Sequence, residues 1–169
     1  TGPAPAQRFR NAIRGITVNT GTGNPGASGI QFNCSNEGTM QHVNIISGDG
    51  RGVNGLDLDF TNEIGPGYIF DLYVEGFDYG IKHGYAINSM TFEKIKLKGQ
   101  NICGFFNEGN VSPIRGLVSE NSVPAVTCNW KGATMILIDA IMTGGSDTVP
   151  AILNKGVLYA RNIDQSGYG

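Results

Sequence analysis

The chain has 169 residues, with 26 glycines, 15% charged side chains and a formal charge of −2. That length suits one domain with a sizeable core, and the missing basic excess argues against nucleic acid as a partner. No run of about 18 apolar residues is present, so no membrane-spanning helix is expected.

Low charge with abundant glycine points to short strands and many turns. In chain order, the template apolar-x-x-apolar-x-apolar fits Ile13/Ile16/Val18, Met40/Val43/Ile45, Ile69/Leu72/Val74, Phe92/Ile95/Leu97 and Ile114/Leu117/Ser119. It fits Ile138/Ile141/Thr143 more loosely and recurs faintly at Ile163. A second series, opened by Gly or Ala, lies between these: Gly29–Phe32, Gly55–Leu58, Gly80–His83, Gly104–Asn107, Ala125–Cys128 and Ala151–Asn154. Both series advance at nearly the same pitch.

A repeat of this size with short strands cannot bury its apolar face alone, so successive repeats must stack. The expectation is an all-β fold, a single-stranded parallel β-helix of about six to seven coils. With coils about 4.8 Å apart, the rod is on the order of 30 Å long. A β-sandwich is the rival, but regular two-residue hairpin signals are missing. Residues 1–169 read as one β-helix domain. The opening TGPAPAQ and the missing second run after Ile163 suggest a piece of a longer protein. Both ends should then expose strand edges open to self-association.

Cys34, Cys103 and Cys128 lack metal-like spacing and are read as free thiols. Gly21–Gly26 matches G-x-G-x-x-G, but Pro25 and a strand follow where a dinucleotide site needs a helix, so it reads as a turn.

Period-two alternation predicts outward columns on the second series. One is Gln31, Asp57, Lys82, Phe106, Thr127, Leu153; the next is Asn33, Asp59, Gly84, Glu108, Asn129, Lys155. Asp57 and Asp59 would lie about 6.5 to 7 Å apart along one strand, and Asp59 and Glu108 near ~9.6 Å across two coils. Inverting glycosidases hold their carboxyl groups roughly 6.5–9.5 Å apart. Asp57, Asp59 and Glu108 are therefore the candidate acid and base groups. The competing reading makes them solvated charges, with Asp57 paired to Lys82. Glu75, Lys98 and Glu120 form a charge ladder on the first series, read as structural.

The inward column Phe32, Leu58, His83, Asn107, Cys128, Asn154 makes His83 a core histidine and Asn107 and Asn154 candidates for interior amide stacking. No metal site is assigned; a calcium ion on Asp57, Asp59 and Glu63 is the nearest alternative. Tyr73, Tyr79, Tyr85, Phe106 and Trp130 are expected outward or at corners, as sugar-stacking platforms or as cover beneath a neighbouring domain.

The segments FRNAIRGITVNTGTGNPGAS (Phe9–Ser28), SGDGRGVNGLDLDFTNEIGPG (Ser47–Gly67), VEGFDYGIKH (Val74–His83) and VPAILNKGVLYARNI (Val149–Ile163) resemble the pectate-lyase superfamily. More narrowly, the chain is similar to bacterial glycoside hydrolase family 28-related proteins and to the β-helix of exo-β-1,3-glucanases. The resemblance implies a right-handed parallel β-helix, an extracellular or cell-surface setting and polysaccharide or oligosaccharide as ligand. The NTD, paired DD and RIK signatures of polygalacturonases are missing.

Two functions follow. One is the β-helix portion of a secreted carbohydrate-active enzyme that hydrolyses glycosidic bonds with Asp57, Asp59 and Glu108, binding substrate through Lys82, Tyr73, Phe106 and Trp130. The other is a non-catalytic glycan-binding or structural β-helix scaffold. No cofactor is expected for either.

Overall fold

The computed structural model describes residues 9–84 and 89–169, all of them strand, turn or irregular. Ala12–Arg14 (β1) and Thr17–Asn19 (β2) begin a first sheet. It continues through Gly38–Ile46 (β4), Gly67–Glu75 (β6), Met90–Lys98 (β8), Val111–Glu120 (β10), Thr134–Thr143 (β12) and Val157–Ser166 (β14). The second sheet runs through Ser28–Gln31 (β3), Asn54–Leu58 (β5), Tyr79–His83 (β7), Cys103–Asn107 (β9), Val126–Cys128 (β11) and Ile152–Asn154 (β13). Both sheets are parallel throughout. A parallel pair needs a crossover, and here each sheet supplies the crossover for the other. The fold is the expected parallel β-helix, with about seven turns. Among the described residues no helix is long and apolar enough to cross a membrane.

The template of the first sheet has a local cause. Each full-length strand carries one residue in the left-handed region: His42 (φ 54°), Asp71 (55°), Lys94 (52°), Gly116 (73°), Asp139 (57°) and Asn162 (54°), with Gly15 (67°) below them. That residue bends the strand, so two consecutive side chains face out before alternation resumes. In β4, Met40, Val43 and Ile45 are buried while Gln41 and His42 stand at the bend. Apolar-x-x-apolar-x-apolar is therefore the signature of a left-handed corner within a strand.

In β12 the core residues lie one position before the expected Ile138, Ile141 and Thr143. Register pairs Ile114 with Leu137 and Leu117 with Ala140, so Leu137, Ala140 and Met142 face the core. Ile141 is 48% exposed. Two outward isoleucines imitate the template there, and the small inward Ala140 gives a weak signal.

The second series is correct in every coil. Ile30, Leu56, Ile81, Phe105, Val126 and Ile152 stand in one paired column. Its opening glycines allow a close approach. A Cβ on Gly55 would collide with Val74 and lie 2.7 Å from the Gly80 carbonyl oxygen in the next coil.

Phe77, Phe92, Phe105, Leu56, Leu58 and Ile81 are among the fully buried core side chains. Several polar groups inside the rod bond to one another. The Asn121 amide donates to Gln100 Oε1 (2.8 Å) and to Ser119 Oγ (2.9 Å), and the Gln100 amide donates to the Gly76 and Lys98 carbonyls. The Tyr168 hydroxyl reaches back to the Asn121 carbonyl at 2.8 Å, fastening the last coil. Asn107 is buried, but it mainly holds its own turn, accepting from the Gly109 and Asn110 amides. Its side chain also donates to the Thr134 carbonyl of the next coil, at 3.3 Å. Asn154 is exposed, and its side chain bonds across its own turn to Gly156. The three cysteines are free and buried, and burial pushes the Cys103 thiol up to about 12. Gly21–Gly26 lies in the loop between β2 and β3, with no helix after it.

Candidate functional site

The outer face of the second sheet brings most of the expected residues together. Register confirms the column Gln31, Asp57, Lys82, Phe106, Thr127, Leu153. Backbone bonds from Gly84 N to the Leu58 carbonyl and from Glu108 N to the His83 carbonyl stack the adjoining positions 59, 84 and 108.

Asp57 faces outward yet is only 5% exposed. One of its oxygens accepts from the Gln31 amide at 3.0 Å and the other from the Asp59 backbone N–H at 2.9 Å. The expected Asp57–Lys82 pair is not the one formed. Lys82 Nζ instead meets Asp59 Oδ2 at 2.9 Å. Asp57 is held against its own turn, which leaves Asp59 as the carboxylate paired with the lysine. The hydrogen bond to Asp59 raises the pKa of Lys82, with smaller contributions from the Asp59 and Glu108 charges and an opposing effect of burial.

Gly84 lies between Asp59 and Glu108 in the stack. The Asp59 carboxyl fills the space where a Gly84 side chain would stand. Glu108 accepts from the Asn129 amide at 3.2 Å, and Asn129 in turn accepts from Lys155 Nζ at 3.0 Å. Each candidate carboxylate thus has a donor. Beside them, Phe106 meets Tyr79 edge-on (centroids 5.1 Å, 66°), and Lys82 Nζ stands 6.0 Å from the Tyr79 ring.

The remaining candidates are dispersed. Trp130 is 42% exposed and lies past the end of β11, its ring covering Gly132. Tyr73 is on the outer face of the first sheet, where its hydroxyl donates to Glu75 at 2.7 Å. Burial and that bond push its pKa up to about 12. Tyr85 falls outside the described residues. Among the described residues no three His, Cys, Asp or Glu side chains gather closely enough to hold a metal ion, so Asp57, Asp59 and Glu63 form no such set. In the ladder of the first sheet, Lys98 pairs with Glu75 (3.6 Å), while Glu120 is taken by Lys96 (3.0 Å).

His83 is fully buried, as expected. Its Nδ1 is 2.7 Å from Ser112 Oγ, and Phe92 and Phe105 meet the ring edge-on. Among the described residues Nε2 has no hydrogen-bond partner, and burial lowers the pKa to about 3.

One cluster went unnoticed in the sequence. The left-handed corner stacks His42, Asp71 and Lys94, and His42 Nδ1 lies 2.6 Å from Asp71 Oδ2. A groove of about 300 Å³ there is lined by these three with Asn44, Tyr73 and Lys96. The available signal was the two-residue gap between apolar anchors at 41–42, 70–71 and 93–94.

Comparison of the chain with protein-family models, with curated proteins and with solved structures finds no match.

Proposed function

We propose that the chain is a rigid β-helix scaffold that binds a polysaccharide along the outer face of its second sheet without cleaving it. The supporting observation is that Asp57, Asp59 and Glu108 already engage Gln31, Lys82 and Asn129 beside the Tyr79–Phe106 aromatic pair. Paired polar groups next to aromatic rings suit sugar hydroxyls and sugar faces, whereas a general acid or base must be free to exchange a proton with its substrate. The extracellular setting and kinship with the pectate-lyase superfamily belong to this same reading.

Affinity electrophoresis on immobilised β-glucans and pectins tests it. Retardation that is lost in Phe106→Ala but kept in Asp59→Asn is the expected result, with no release of reducing ends. Catalytic turnover abolished by Asp59→Asn or Glu108→Gln would replace this reading with hydrolysis. That second reading has one observation of its own. Asp59 and Glu108 stand one coil to either side of Gly84 on the same face, the pair of carboxylates that an acid and a base require.

A further inference from the structure

We propose that the corner groove of the first sheet is a binding site for a tetrahedral oxyanion, a sulfate or phosphate group, held chiefly by Lys94 with Lys96 and His42. The site is separate from the face of the second sheet and independent of the polysaccharide reading.

Charge pairing around the groove is the first argument. On the first sheet Lys98 has Glu75, Lys96 has Glu120, Arg115 has Asp139 and His42 has Asp71. Lys94 has no carboxylate within ion-pair distance among the described residues. Its Nζ stands 5.0 Å from the centroid of the Phe70 ring. That ring is fixed by Tyr68 stacked on it (6.0 Å, 26°) and by His42 meeting it edge-on (5.5 Å, 87°). The ammonium is therefore held over a rigid aromatic surface beside the imidazole. His42 holds the Asp71 carboxylate at 2.6 Å, which leaves the Lys94 ammonium for an incoming anion.

The backbone gives the second argument. Lys94 adopts φ 52°, a conformation that asparagine, aspartate, histidine and glycine tolerate best. Lysine has no short polar side chain to offset that cost locally, and such strain concentrates at functional positions. In the same column Gly15 and Gly116 show that glycine satisfies the corner. The bend sets Lys94 beside the outward Lys96 one position past the next core residue, so two ammonium groups from one strand face one groove. Lys96 shares its charge with Glu120 through an exposed pair, which an incoming anion can displace at small cost. Several separate donors match the oxygens of a sulfate or phosphate, and Tyr73 closes one wall.

Isothermal titration of the full chain with sodium sulfate, sodium phosphate and sodium glucuronate, at constant chloride, tests the proposal. Sulfate or phosphate should bind saturably at one site per chain. Lys94→Gly, which suits the corner backbone, should weaken binding about tenfold or more. Lys94→Gln gives a second reading that keeps side-chain length without the charge. Phe106→Ala should leave the affinity unchanged, whatever it does to polysaccharide retention. The proposal fails if none of the three anions binds saturably, if both Lys94 variants bind as the parent does, or if glucuronate alone binds. Loss of sulfate binding in Phe106→Ala would move the site to the second sheet and equally overturn it.

Discussion

The two sheets stack the same coils by different means. The first uses long strands bent at a left-handed residue, and His42, Asp71 and Lys94 stand exposed at that bend. The second uses short strands opened by glycine, where backbone meets backbone and Gly55 stands against the Gly80 carbonyl. A bend is a conformational demand that several residue types satisfy, whereas a close approach is a spatial demand that only the smallest satisfy, glycine in four coils and alanine at Ala125 and Ala151. The first sheet can therefore vary its corner residues and carry charge on them. The second must conserve space, and its outward carboxylates are drawn in against their neighbours.

The sharpest way to break this contrast is to add one methyl group to each sheet. Gly55→Ala forces a Cβ into Val74 and the Gly80 carbonyl and should cost about 3 kcal/mol. Gly116→Ala, at φ 73° with no atom closer than 3.6 Å to the new carbon, should cost only about 1 kcal/mol of backbone strain. Urea midpoints of the two variants measure both, and equal losses would remove the distinction between spatial and conformational demand.

The interior of the second sheet adds a pH dependence that the first sheet lacks at the paired core positions. His83 titrates near 3 when folded against about 6.5 for a free side chain. As pH falls below 6.5 the unfolded chain takes up a proton that the folded chain refuses, so stability declines until about pH 3 and is intact above 6.5. The slope is at most about 1.4 kcal/mol per pH unit. Between pH 6.5 and 5 the parent should lose about 1.6 kcal/mol that His83→Asn does not lose. Parallel urea curves at the two pH values decide the matter.

The stacking was legible because period and register are carried by apolar spacing, and both outward columns of the second sheet follow from the alternation shared by its six runs. Partners were not legible. Spacing places Lys82 beside Asp57, but the choice of Asp59 depends on a turn amide holding Asp57 and on the empty position at Gly84. The shift in β12 shows the limit of periodicity, since Ile138 and Ile141 are apolar on the solvent side. The corner cluster was hidden for another reason. A left-handed residue leaves no composition signal when its column mixes glycine, histidine, aspartate, lysine and asparagine.

Ion pairs on the two outer faces give a smaller test. Lys82 and Asp59 are about 29% and 30% exposed at their side chains, against 68% and 41% for Arg115 and Asp139. Asp59→Asn should cost up to about 1 kcal/mol and Asp139→Asn less, because the better-solvated pair is more strongly screened. Raising the salt concentration should shrink the difference between the two variants. A larger loss from Asp139→Asn would place the stronger electrostatic contribution on the first sheet.

The smallest expected change is the most informative about the corner. Lys94→Gly removes the ammonium from the face of Phe70, an exposed contact worth about 0.5–1 kcal/mol. It also relieves a lysine held at φ 52°, a gain of about 1 kcal/mol offset in part by the greater freedom of glycine in the unfolded chain. These contributions oppose one another, so thermal unfolding should shift by no more than about 0.5 kcal/mol in either direction. A corner kept for stability would lose clearly more. Unchanged stability alongside lost sulfate or phosphate binding would mean that lysine stands at this corner for the anion and not for the fold.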